Sequence, residues 1–362
     1  MREYIGVDLG KHKAVVVKKD RLGKVTGKVS LAVAKASLEN YFSKQDPKSK
    51  VVVEATGNWM YLYETIEKYV PDVVLAHPFK TRAIAEARIK TDTIDATTLA
   101  ELLRLDGVAK AYIAPREVRD ARELLRYRAS VVSLRIGLKN KVHAVLTKNG
   151  IECGFSNVLG KKSREWLKTL AVRDCYRQEL AGYIRLAELS TALIQQITMT
   201  IKEIVTTNPQ AQLLMTVPGI SYYSALLILS EIGQIERFPS AKQLCSYAGL
   251  VPSVYSSGSK TFHGRITKQG SRWLRWICVE ISIHAANGDA AFQSLYRRIC
   301  RRRGVATAKV AVARKLLTVV YAMLKNNEPF RRRPPRQQIL AKAWSKKNQQ
   351  SSGHPPGVMI GA

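Results

Sequence analysis

Two apolar runs near the start of the chain, YIGVDLGKHKAVVV and VVVEATGNW, each carry one acid, Asp8 and Glu54. Runs of β-branched residues like these read as buried strands, and an acid set in such a run must lie where something positive neutralises it. Around them the first third of the chain reads β-β-β-α-β-α-β-α. A first strand spans roughly Tyr4 to Lys18, the turn Asp20-Arg21-Leu22-Gly23 makes a hairpin into a second, and Lys28 to Val33 is a third. A helix near Ser37 to Ser43 leads to the strand Val51 to Glu54, Asn58 opens another helix, and PDVVLAHP is a short buried strand. Helices follow near Thr81 to Arg88 and Thr91 to Leu105. Three antiparallel strands and then alternating helices and strands is the order of an RNase H-like α/β domain.

The last of those helices, KTDTIDATTLAELL, holds Asp92 and Asp95 three residues apart and so on one face. Singly, such acids are more often turn, cap or dipole-complementing residues. Together, Asp8, Glu54, Asp92 and Asp95 form an all-oxygen donor set suited to Mg²⁺, and two such ions can clamp the attacking and leaving oxygens of a phosphodiester.

The partner is set by charge. Lys and Arg number 59 against 28 Asp and Glu, a net charge of +31 over 362 residues. That excess predicts a polyanion, bound with a strong salt dependence. A membrane surface is the other polyanion, but no apolar run reaches a transmembrane length and no leader pattern precedes the first strand, so no membrane association is expected. Five scattered cysteines (Cys153, Cys175, Cys245, Cys278, Cys300) form no C-x-x-C pair and read as buried or semi-buried thiols of a reducing cytoplasm.

Two long amphipathic helices are expected from Pro115 to about Asn149 and from about Arg173 to Thr206, joined by a loop, as a helical hairpin or coiled coil serving as spacer, dimerisation arm or nucleic-acid clamp. Next, LLMTVPGISYYSALLILSEIG has the form helix, Pro218-Gly219 turn, helix, the latter opening at Ser221. A helix-hairpin-helix of this kind offers backbone amides to a phosphate, although a plain helix–helix turn uses Pro-Gly equally well. The stretch YAGLVPSVYSSGSKTFHGRITKQGSRWLRW reads as a Gly- and Ser-rich loop with Tyr255, Ser256, Ser257 and Ser259 as candidate nucleophiles and Arg265, Lys268, Arg272 and Arg275 just after it. Trp273 and Trp276 suit base stacking or, more often at helical spacing, a core. Arg297, Arg298, Arg301, Arg302 and Arg303 form a dense cationic patch for phosphates. From Ala241 to Phe330 the only acids are Glu280, Asp289 and Glu328, and the basic tail from residue 331 to 362 reads as disordered or folded on binding.

Taken together, VDLGKHKAV, VVVEATGNW, KTDTIDATTLAELL, TVPGISYYSALLILSEIG, AGLVPSVYSSGSKTFHGRITKQGSRWLR and the closing VAVARKLLTVVYAML resemble the DEDD transposases of the bacterial insertion-sequence family called IS-one-ten, over nearly the whole length to about Asn327. The resemblance implies a RuvC-like catalytic domain (residues 1–112) with Asp8, Glu54, Asp92 and Asp95 as catalytic and Mg²⁺-binding residues. It implies a helical coiled-coil dimerisation segment (113–208) and a mainly α transposase domain (209–330) with a nucleophilic serine. That serine precedes a glycine after the G-L-x-P motif, hence Ser257 before Gly258, with Ser256 as runner-up. It further implies donor and target double-stranded DNA, a noncoding guide RNA, homodimers joining into a homotetramer with sites completed between subunits, and a cytoplasmic, nucleoid-associated place of work. A hydrolytic Holliday-junction nuclease that needs no serine, a non-enzymatic nucleic-acid scaffold, and a tyrosine recombinase using Tyr255 are the competing readings.

Overall fold

A computed structural model describes residues 2–55, 57, 59–78, 80–81, 91–257 and 260–332. The helix expected near residues 81–88, apart from Thr81, and the tail from residue 333 onward lie outside them. The chain divides into two units, Met1–Ala114 and Pro115–Ala362.

The first unit is built on a five-stranded mixed sheet of β1 (Tyr4–Leu9), β2 (Lys13–Lys19), β3 (Val25–Ala32), β4 (Lys50–Glu54) and β5 (Val73–Ala76), in the order β3-β2-β1-β4-β5. The β1–β2 and β2–β3 pairs are antiparallel, whereas β1–β4 and β4–β5 are parallel. The single strand expected over Tyr4 to Lys18 is in fact two. Gly10-Lys11-His12 interrupts the apolar alternation, and the chain folds back there with the Gly10 amide donating to the Lys13 carbonyl at 2.9 Å. Conversely, the second and third expected strands are one continuous β3. The intervening hairpin forms as its residues dictate. Asp20 Oδ1 accepts from the amides of Leu22 and Lys24, and Gly23 takes the positive φ (+88°) that the turn requires.

The central strands are buried on both faces, which explains their continuous apolar runs. Helices α1 (Lys35–Phe42) and α2 (Trp59–Glu67) bring Leu38, Phe42, Leu62 and Ile66 onto Ile5, Val7, Val51 and Val53. On the opposite face α3 (Asp92–Arg104) lays Leu99 and Leu103 over Val52 and Ala76.

In the second unit α4 (Arg116–Lys148) and α6 (Asp174–Thr206) run antiparallel, since Arg128 meets Thr198 while Lys141 meets Tyr183. At 33 residues each they are about 50 Å long. One end is closed by a small core of Val142, Leu146, Leu180 and Ile184. The connecting segment, expected as loop, holds the short helix α5 (Lys161–Thr169), which joins that core through Leu167. At the other end Leu125, Val131, Ile197 and Ile201 enter the main core. This core is shared with α7 (Pro209–Met215), α8 (Tyr222–Ile232), α9 (Ala241–Tyr247), α10 (Arg272–Gly288) and α11 (Ala290–Asn326), the last broken at Gly304 (φ +79°). Between α9 and α10 lies a two-stranded antiparallel hairpin, β6 (Pro252–Ser257) and β7 (Lys260–Ile266), where a loop was expected. Its β-branched and aromatic residues, in the adjacent pairs Val254-Tyr255 and Thr261-Phe262, carry the strand propensity that the Gly/Ser content masks.

Among the described residues no helix is long and apolar enough to cross a membrane. All five cysteines are free thiols. Burial raises the pKa values of Cys245 and Cys278, whereas Cys175 is exposed, contrary to the expectation of burial.

Candidate active site and nucleic-acid surface

Val7 and Val53 are the last parallel pair between β1 and β4, and Asp8 and Glu54 are the next residue on each strand. The two carboxylates therefore stand at the carboxyl ends of adjacent strands. Side chains alternate along a strand, so they share the face of Gly6 and Val52, the face covered by α3. Gly6 lets that helix approach closely, because a Cβ there would lie 2.6 Å from the Ala100 amide nitrogen and would overlap the Ala96 carbonyl oxygen.

The direction of α3 is fixed at its far end. Glu101 accepts from Lys19 at 2.7 Å and pairs with Arg104, and Lys19 is the β2 residue opposite Tyr4 at the start of β1. The first turn of α3, with Asp92 and Asp95, thus points toward the strand ends that bear Asp8 and Glu54. Thr91 caps the helix by accepting from the Ile94 amide at 3.2 Å. Hydrogen bonds from Arg104 and Lys19 hold the Glu101 carboxyl down at about 2, well below its ordinary value. Asp8, Glu54 and Asp95 are half-buried and Asp92 is exposed.

Four carboxylates with no thiol or imidazole among them fit a hard divalent cation in kind. Among the described residues, no three Asp, Glu, His or Cys side chains are gathered closely enough to enclose an ion without adjustment.

In the second unit Ser257 ends β6, opposite Lys260, and Ser256 pairs with Thr261. The two serines lie on opposite faces of the ribbon. Ser256 Oγ is 3.2 Å from Thr261 Oγ1, whereas no hydroxyl partner holds Ser257 among the described residues. Gly258 and Ser259, between the strands, lie outside those residues.

The predicted cations divide into two groups. Arg265, Lys268 and Arg272 are exposed, as are Arg297, Arg298, Arg301, Arg302 and Arg303 on α11, none of which has an acidic partner among the described residues. Arg275 is half-buried, donates to the Ala248 carbonyl at 3.0 Å, and has its pKa lowered by that burial. It braces the end of α9.

The Pro-Gly turn is packed and capped. Pro218 occupies the space where a Cβ on Gly288 would stand, and a Cβ on Gly219 would lie 2.6 Å from His284 Cβ. Ser221 and Ser224 form a capping box that uses two amides at the start of α8. Fewer donors are left there for a phosphate than the sequence implies. Trp273 packs on the core, and Trp276 is 41% exposed with its ring edge-on to Trp273 and Tyr223.

Sequence reasoning passed over Glu231, buried at 5% exposure. It accepts from Ser271 Oγ at 2.7 Å and Arg126 at 3.4 Å, and Arg122 lies 3.9 Å away. One carboxylate thereby ties the base of α4 to the N-cap of α10, next to the hairpin. The signal was available as a lone acid in the otherwise apolar ALLILSEIG.

Comparison with known proteins points the same way for both units. Residues 5–150 match a family model of DEDD transposases of IS110 elements, described as "Transposase", and residues 211–297 match the "Transposase IS116/IS110/IS902 family". The chain is 25% identical over 292 residues to a transposase for insertion sequence element IS1111A of Coxiella burnetii, covering 78% of this chain and 79% of that protein. It is 28% identical over 301 residues to a pilin gene-inverting protein of Moraxella bovis, covering 78% and 82%. A probable family 20 transposase of Pseudomonas aeruginosa is 24% identical over 338 residues, covering 90% and 98%.

Proposed function

This chain belongs to the IS110-type family of DEDD transposases, and from that premise we propose that it cuts and rejoins double-stranded DNA through a serine nucleophile, Ser257, guided by a noncoding RNA. The observation that carries the reading is the placement of Asp8 and Glu54 on adjacent strand ends, under the helix whose first turn bears Asp92 and Asp95. The sheet order β3-β2-β1-β4-β5 supports a RuvC-like, RNase H-like domain over residues 1–112.

Asp8, Glu54, Asp92 and Asp95 would hold two Mg²⁺ ions, closing inward from their present separation. Bound there, the metal would supply charge stabilisation at the scissile phosphate. Ser257 Oγ attacks the phosphorus, the P–O3′ bond breaks, and the serine proton is taken up as the 3′ hydroxyl leaves. The 5′ phosphate stays on Ser257 until another 3′ hydroxyl attacks, reforming a phosphodiester and restoring the serine. One phosphodiester is exchanged for another without net hydrolysis. Both serines are exposed, but among the described residues the Ser256 hydroxyl already faces Thr261 whereas no hydroxyl partner holds Ser257, which supports Ser257 over Ser256.

A net charge of +31 and the exposed α11 arginines, which have no acidic partner among the described residues, suit two polyanions at once, DNA and a guide RNA that reads sequence by base pairing. The helical pair in 113–208 exposes Leu134, Ile136, Leu186 and Leu189, which supports its use as a self-association arm for a homodimer and then a homotetramer. The transposase domain is assigned to 209–330, and the work to the nucleoid in the cytoplasm. The test is Mg²⁺-dependent strand cleavage on the element's junction DNA with its flanking noncoding RNA. A denaturant-resistant protein–DNA adduct is expected. Cleavage without an adduct would favour a hydrolytic nuclease, and no cleavage would favour a binding scaffold.

A further inference from the structure

The β6–β7 ribbon carries two large aromatic side chains in solvent. Tyr255 is 69% exposed and Phe262 65% exposed, and they are directly paired across the two strands. Directly paired residues share a face, as do residues two apart on one strand. Tyr255, Phe262, Ser257 and Lys260 therefore lie on one face. The aromatic pair sits one step below the Ser257–Lys260 pair, about 7 Å along the ribbon. Gly264 is next on the same face, and a Cβ there would stand 3.8 Å from Tyr255 Cε2. A larger residue would crowd the Tyr255 ring.

Two aromatic rings this exposed add nothing to a core, and water is a poor neighbour for them. Their surroundings select the partner. Between Glu236 and Glu280 the chain has no acidic residue but carries Lys242, Lys260, Arg265, Lys268 and Arg272. Exposed apolar rings in a stretch of chain that carries cations and no acid match a polyanion that also presents flat π faces. A nucleic-acid strand has both, in its phosphates and its bases.

We propose that Tyr255 and Phe262 are positioning residues. They form a base-stacking surface that grips the nucleotide beside the cleaved bond and sets its phosphate against Ser257, with Lys260 facing the phosphate charge. This rests on Ser257 being the nucleophile of the reaction proposed above. The aromatic pair adds what the serine lacks, a means of holding an otherwise mobile strand at a fixed distance from the hydroxyl.

The test uses the full-length chain and a single-stranded oligonucleotide carrying one 2-aminopurine, whose fluorescence is quenched on stacking. Wild type and Ser257→Ala are expected to quench it equally. Tyr255→Ala/Phe262→Ala should abolish the quenching, and Tyr255→Phe should keep it. On junction DNA with the guide RNA, the double alanine variant should form the covalent adduct at least tenfold more slowly, and Tyr255→Phe should recover most of the rate. Undiminished quenching by the double alanine chain, or none by wild type, overturns the inference. Quenching that follows the aromatics while the adduct maps away from Ser257 would instead overturn the serine assignment and leave the stacking surface standing.

Discussion

Gly6 of β1 lies so close beneath α3 that a single added methyl group would stand 3.1 Å from Ala100 Cβ and 2.6 Å from its amide nitrogen. The close seat of the helix on the sheet is what brings its first turn beside the ends of β1 and β4. Gly6→Ala should lift the helix, costing about 2 kcal/mol by the usual scale of overpacking. It should also separate Asp95 from Asp8, so cleavage should fall further than stability alone accounts for. Urea unfolding and single-turnover cleavage of the same preparation check both. A variant as stable and as active as wild type would show that the approach has no bearing on the site.

The carboxylates themselves give a sharper expectation. Asp8→Asn, Glu54→Gln, Asp92→Asn and Asp95→Asn should each abolish strand cleavage while leaving nucleic-acid affinity nearly unchanged. Removing one negative charge next to a phosphate does not weaken binding by Coulomb's law. Gel-shift and cleavage assays run side by side test this. Four variants that recombine like wild type would sink the metal-site reading.

Much of this arrangement was legible in the sequence, for particular reasons. β4 and α3 announce themselves because continuous Val runs and a Thr-capped helix start are strong local signals. The merging of β1 and β2 into one expected strand had a local cause. Gly10-Lys11-His12 is a turn made by one glycine and two residues that also occur in strands, whereas Asp20 to Gly23 holds a recognised turn pair. The β6–β7 hairpin was hidden by its Gly and Ser content, although Tyr255 and Phe262 are strand formers. The capping box at Ser221 was invisible, because it depends on Ser224 turning back to the Ser221 amide. The buried role of Glu231 depends on Arg122, Arg126 and Ser271, partners up to 109 positions away.

Glu101 provides a pH-dependent probe of how α3 is anchored. Its carboxyl is held at about 2 against an ordinary 4.5, first by hydrogen bonding to Arg104 and then to Lys19. A depressed carboxylate stabilises the fold above its unfolded pKa, and that contribution is lost as pH falls through the folded one. Wild type should therefore exceed Glu101→Gln in stability by a constant margin above about pH 4.5, and the margin should shrink between there and about pH 2. Denaturant unfolding of both proteins across that range reads the margin directly. A difference that does not change with pH would mean that Glu101 does not ion-pair in solution.

The α11 arginines should account for part of the salt dependence of nucleic-acid binding. Each phosphate contact contributes about 0.9 to the slope of log affinity against log salt on duplex DNA. Neutralising Arg297, Arg298, Arg301, Arg302 and Arg303 with glutamine should lower that slope by several units and weaken binding across unrelated sequences alike. Fluorescence anisotropy at a series of salt concentrations measures it. An unchanged slope would place this cluster away from the nucleic acid.

The central claim is that a serine at the tip of the hairpin carries the DNA. Trapping the protein on junction DNA during Mg²⁺-dependent recombination, digesting the adduct and locating the modified peptide by mass spectrometry tests it most directly. A 5′-phosphodeoxynucleotide on Ser257 is expected, lost in Ser257→Ala and retained at least in part in Ser256→Ala. A link at Ser256 or Tyr255, or active turnover with no adduct at all, would contradict it.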